Sequence, residues 1–105
     1  MFTMKTNLND ECKNLKNIIE NLQTGKEICK IFNEQFSLND VIDYLCDFEK
    51  ELENLNSRII SCGNTSELLK EVNDKYNELW LFQVNYTIDS LANVIGALWR
   101  YPNVY

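Results

Sequence analysis

"DVIDYLCDFEKELENL", residues 40–55, decides the fold. Val41, Leu45, Phe48, Leu52 and Leu55 recur in alternating steps of four and three, and Ile59 continues the series. Successive helical residues turn by about 100°, so this spacing gathers them on one stripe of an α-helix. A strand would need apolar side chains at every second residue. The stripe has to be buried against something, and the cheapest cover is another helix.

Downstream, "SCGNTSE" (residues 61–67) reads as a turn. Gly63 can take the left-handed conformation that closes a helix. Asn64, with Glu67 three places on, predicts a capping box for the next helix. The chain has one proline and three glycines in 105 residues, so few residues interrupt long helices. The next helix is therefore expected from Ser66 to about Arg100, ending before Pro102. A short turn makes two long helices antiparallel neighbours, which predicts a hairpin of about 38–60 and 66–100.

Upstream, Ser37 is a good N-cap with Asp40 at the third helical position, an approximate capping box. A short helix is expected over residues 26–35, with Ile28, Ile31 and Phe32 inward. Before it, Leu8, Cys12, Leu15, Ile19 and Leu22 repeat the four-three pattern, with Asn7 or Asn9 as cap and Thr24-Gly25 as stop. The pattern leaves open whether these are two helices or one interrupted at Gly25. The fold class is thus all-α: a three- or four-helix bundle in a single domain, 1–105, with a loose start at 1–6 and a tail at 101–105.

The net charge of −6 argues against binding the nucleic-acid backbone, which needs clustered Lys and Arg, and against an anionic membrane surface. It permits a partner protein with a basic surface. No apolar leader opens the chain, so a cytoplasmic protein is expected, in the host cytoplasm if the source is a phage or virus. Cys12, Cys29, Cys46 and Cys62 lack the close pairing of a metal site, and no histidine is present to complete one. They are expected to be reduced, as small apolar fillers. Without histidine or a recognisable catalytic motif, the chain is not expected to be an enzyme, and no cofactor is expected.

Two features remain as candidate contact surfaces. Asp43, Asp47 and Glu51 lie in a row beside the apolar stripe. Like charges four apart oppose one another by about 0.2–0.5 kcal/mol, so the row is either a solvated face or a docking flank for a basic partner. A metal site on these acids would need ligands from a second helix. The second feature is "WLFQVNYTIDSLANVIGALW" (residues 80–99), which has one charge, Asp89, and too many polar residues for a membrane span. Read as one helix, it turns Leu81, Val84, Ile88, Leu91, Ile95 and Leu98 inward. Trp80, Tyr86, Asp89, Trp99 and, beyond the stretch, Tyr101 are then expected at a self-association or partner surface. Asn85, Asp89 and Asn93 would form a ridge, either the wet side or a buried polar row that sets the register of an oligomer.

The size and hairpin plan are similar to the small type VII secretion partners, although the turn "SCGNTS" lacks that family's Trp-x-Gly. The spacing of Trp80 and Pro102 about an apolar helix resembles phage proteins that sequester cyclic nucleotides, although Arg100 is the sole basic residue present for such a site. The reading that follows from the residues is a non-catalytic protein-binding module. Its size, charge and Asn-rich composition fit a small phage or viral inhibitor of a host system. The alternative is a structural homo-oligomer with small-molecule pockets between subunits, and self-association is expected in either case.

Overall fold

The computed structural model describes residues 6–28 and 36–101. Among them are four helices, α1 (Asn9–Gln23), α2 (Leu38–Cys62), α3 (Ser66–Tyr86) and α4 (Leu91–Arg100), and no strand. The protein is an all-α bundle in which α1 packs on α2, α2 on α3, α3 on α4 and α4 on α1. The expected helix over 26–35 lies outside the described residues from position 29 onward. Residues 24–27 form a turn, and Gly25 has φ 81°, so α1 does not run straight on.

The stripe of α2 behaves as its spacing predicts. Val41, Leu45, Phe48, Leu52, Leu55 and Ile59 are all buried. Fully burying one such side chain stabilises the fold by roughly 1.5–3 kcal/mol. The Ser37 cap also forms as expected: the Asp40 N–H donates to Ser37 Oγ (3.2 Å) and the Ser37 N–H to Asp40 Oδ2 (3.3 Å). Gly63 ends α2 at φ 76°. The cap of α3 differs from expectation by one residue. Thr65, not Asn64, accepts the Leu68 N–H at 3.1 Å, which frees Asn64 for another contact.

The principal correction concerns the last expected helix. Residues 66–100 are not one helix but two, and the partner of α2 in the hairpin is 66–86 alone. Thr87 breaks the run with φ 44° and ψ 61°, a left-handed conformation that a β-branched residue adopts at a cost. The break resets the helical phase. In α3 the inward residues are Leu68, Val72, Leu79, Phe82 and Tyr86, whereas Leu81 and Val84 face solvent. In α4 the expected inward residues Leu91, Ile95 and Leu98 are buried, together with Val94.

The helices are antiparallel neighbours, and polar contacts fix their register. Asn56 of α2 reaches the start of α1, and Lys16 reaches Glu49 and Glu53. Tyr44 meets Glu78, Lys75 meets Glu51, and Arg58 meets Glu71 (Nη1 to Oε1, 3.1 Å) along α2 and α3. The Tyr101 hydroxyl donates to Asn64 Oδ1 at 2.7 Å, so the end of α4 lies at the start of α3.

Helix lengths then decide what is covered. At 1.5 Å per residue, α2 and α3 span about 37 and 31 Å, but α1 and α4 only about 22 and 15 Å. Gln23, the last residue of α1, shares a surface hollow with Cys46, and Ser90 at the head of α4 donates to Glu27 just past α1. The N-terminal end of α2 and the C-terminal end of α3 therefore overhang their shorter neighbours.

Candidate functional site

The overhang carries an open cleft of about 680 Å³. Its floor is Val41 and Phe82, its walls Phe36, Tyr44, Leu81 and Tyr86, and its rim Asp40, Asp43, Glu78 and Asn85. This volume is within the range of sites that hold a ligand or the anchor side chains of a partner.

The aromatic rings form a continuous series. Tyr44 stacks on Phe82 (centroids 4.2 Å apart, planes 6°), Phe82 on Tyr86 (4.2 Å, 28°), and Phe36 meets Tyr86 edge-on (5.7 Å, 70°). Offset-stacked and edge-on pairs suit the ring quadrupoles and hold the walls rigid. Tyr44 also meets Phe48, and Lys75 Nζ lies 5.2 Å from the Phe48 centroid as a cation over its face.

The rim is negative. Tyr44 donates its hydroxyl to Glu78 Oε1 at 3.0 Å. Burial, then Glu78, pushes the Tyr44 phenol up, and burial, then Asp40, does the same for Tyr86. Both phenols are neutral at physiological pH. Burial works against the charge of Lys75, but Glu51 and Glu78 outweigh it and raise its pKa, so this cation is held by its own two carboxylates.

The chain matches no family model, no curated protein and no solved structure. The geometry alone therefore carries the functional reading.

The acidic row divides. Asp43 lines the cleft, Asp47 is exposed further along α2, and Glu51 is engaged by Lys75. None of the described residues pairs Asp43 or Asp47 with a cation. No three described Cys, Asp or Glu residues come together to hold a metal ion, and no helix of the described residues is long and apolar enough to cross a membrane.

The expected contact surface of the C-terminal region also divides. Trp80 and Trp99 are exposed, as are Asp89, Asn85 and Asn93. With the break at Thr87, the last three no longer share a helical ridge, and Asn85 Nδ2 donates to Leu81 O of its own helix. Tyr86 and Tyr101 are 6% and 3% exposed, turned into the chain by the phase reset and by the contact to Asn64. Tyr101 cannot offer its ring to another molecule, and Tyr86 offers only the small part of its ring that lines the cleft.

Three buried polar residues escaped the sequence reading: Glu11, Glu49 and Asn56. Asn56 Oδ1 accepts the Leu8 N–H at 2.6 Å, and its Nδ2 donates to Asn9 Oδ1 at 2.8 Å. It thus satisfies the Leu8 N–H at the head of α1, where Asn7, one of the two expected caps, accepts the Asn9 N–H at 3.1 Å. Glu11 lies in the first turn of α1, where the helix dipole favours a carboxylate. Glu49 meets Lys16 Nζ at 3.5 Å, while the same lysine is 2.7 Å from Glu53. Helical spacing was the available signal. Glu11 follows Leu8 by three, Glu49 precedes Leu52 by three, and Asn56 follows Leu52 by four.

Of the cysteines described, Cys12 is buried and Cys62 exposed, with Cys46 between; none is bonded to another. Burial, then Glu49 and Glu53, pushes the Cys12 thiol up to about 12. Cys12 fits the filler role and Cys62 does not.

Proposed function

We propose that this protein is a non-catalytic protein-binding module that docks its partner on the overhanging ends of α2 and α3. The observation that carries the reading is the rigid aromatic cleft, open to solvent where the short helices stop. Leu81 on the cleft wall is 59% exposed, and Trp80 and Val84 on the same helix are 45% and 60% exposed. Exposed apolar surface of this kind marks interaction sites. Aromatic anchors beside a polar rim are the usual anatomy of a protein interface. A role as a small inhibitor of another protein is one form of this function, because blocking a surface needs a rigid face and no chemistry.

Selection of displayed random peptides against the wild-type chain and against Leu81→Asp tests the proposal. Leu81 is exposed, so its replacement leaves the core intact. Enrichment of peptides that bind the wild type and not the variant is the expected result. Peptides that bind both equally, or no enrichment at all, would contradict it.

A further inference from the structure

We propose that the occupant of the cleft is a basic amphipathic helix of a partner protein, laid between the overhanging ends of α2 and α3. This rests on the docking function above and adds the chemistry of the partner. The fold supplies the pattern. Both helices that cover α2 bring an apolar stripe flanked by a cation. From α1, Leu15, Ile18, Ile19 and Leu22 enter the core, while Lys16 sits on Glu49 and Glu53. From α3, Leu79 and Phe82 enter the core, while Lys75 sits on Glu51 and over Phe48.

Among the described residues, the open end of α2 has the same surface and no third helix covers it. Val41, Tyr44 and Phe82 supply the apolar bed. Asp40 and Asp43 on one side and Glu78 on the other supply the carboxylates, and no Lys or Arg is among the lining residues. Residues 36–44 and 78–86 each run for about 13 Å, the length of two to three helical turns. Such a groove takes anchors at i, i+3 or i+4 and i+7 of a docked helix.

Charge rejects the other occupants. A second copy brings another −6 to an acidic rim, and an anionic lipid or nucleic-acid backbone meets the same repulsion. A small cation would meet the carboxylates but leave Val41, Leu81 and Phe82 without an apolar cover.

The test uses a labelled helical peptide of leucine and lysine, about 18 residues long, and its leucine–glutamate counterpart, followed by fluorescence anisotropy. The leucine–lysine peptide binds the wild type, and the leucine–glutamate peptide does not. Asp43→Lys weakens binding about tenfold or more. Glu20→Lys, the same charge change at an exposed site on α1, weakens it less than about twofold. Equal urea midpoints for both variants confirm that neither disturbs the fold. Failure of the leucine–lysine peptide to bind, equal binding of the two peptides, or equal loss in the two variants would overturn the inference. A chain that selects peptides through Leu81 yet refuses the leucine–lysine peptide retains the docking function and loses the basic helix. A chain that does neither loses both.

Discussion

The two ends of the bundle are built on opposite principles. At one end four helices meet: the start of α1, the end of α2, the start of α3 and the end of α4. Side-chain hydrogen bonds clamp them together, with Asn56 reaching Leu8 and Asn9, and Tyr101 reaching Asn64. At the other end, among the described residues, only α2 and α3 continue, joined by stacked rings and the Tyr44–Glu78 hydrogen bond, with Phe36 and Leu81 half-exposed or more. Polar contacts specify geometry, because a buried donor left without an acceptor costs more than a satisfied one contributes. The stacked rings of the open end hold an apolar wall in place and leave one side of it to water, which suits a surface that receives a second molecule.

The comparison is broken first by truncating each part. Leu52 is fully buried, and Leu52→Ala is expected to cost about 2–5 kcal/mol in urea unfolding, whereas Leu81→Ala at the open end stays within about 0.5 kcal/mol. Similar losses at both sites would mean that the open end is covered after all. Next comes the clamp. Asn56→Ala strands the Leu8 N–H and is expected to lower stability by about 1–3 kcal/mol, with faster hydrogen exchange at Leu8 and Cys12. Its open-end counterpart, Asn85→Ala, removes only a bond to its own helix and leaves the urea midpoint where it was.

Thr87 sharpens the comparison from the other side. Its left-handed backbone ends α3 and turns the chain back toward α4. Thr87→Gly relieves that strain and should raise stability by about 1 kcal/mol in thermal unfolding; a loss would place the break elsewhere. Tyr101→Phe removes the hydroxyl bond to Asn64 and should cost about 0.5–1.5 kcal/mol.

The smallest effect is one of pH. Burial, then Glu53, raises the carboxyl of Glu49 above the ordinary glutamate value of 4.5. The folded chain therefore holds this proton more tightly than the unfolded chain does. The stability from this group is fully present below that ordinary value and is lost as pH rises through the raised one. Glu49→Gln removes the loss, so the variant gains on the wild type across that window in paired urea titrations. A constant difference across the window would place Glu49 in water.

The sequence made the centre of the bundle legible and the open end illegible, for physical reasons. The stripe from Val41 to Ile59 follows one helical period without a break, and the Ser37–Asp40 cap and Gly63 mark its ends with residue types that have few other uses. The break at Thr87 carries no such mark. Residues 87–90 contain neither Gly nor Pro, and the spacing of Leu81, Val84, Ile88 and Leu91 continues the helical period across it. That false continuity turned Leu81 and Val84 inward and Tyr86 outward in the sequence reading, the reverse of their places in the fold. Asp43 was found because it is an acid beside an apolar stripe. Tyr44, Phe82 and Glu78 were missed because their role depends on how far α1 and α4 reach, and helix length relative to a neighbour is not a local property.

The most direct test of the open end is the molar mass in solution by light scattering, at low and at high salt. A surface reserved for a basic partner leaves the acidic chain alone, so the expected mass is that of the 12.4 kDa monomer at both salts. An oligomer that persists at high salt and falls apart in Leu81→Asp would show the open end closed by a second copy, and would contradict the account.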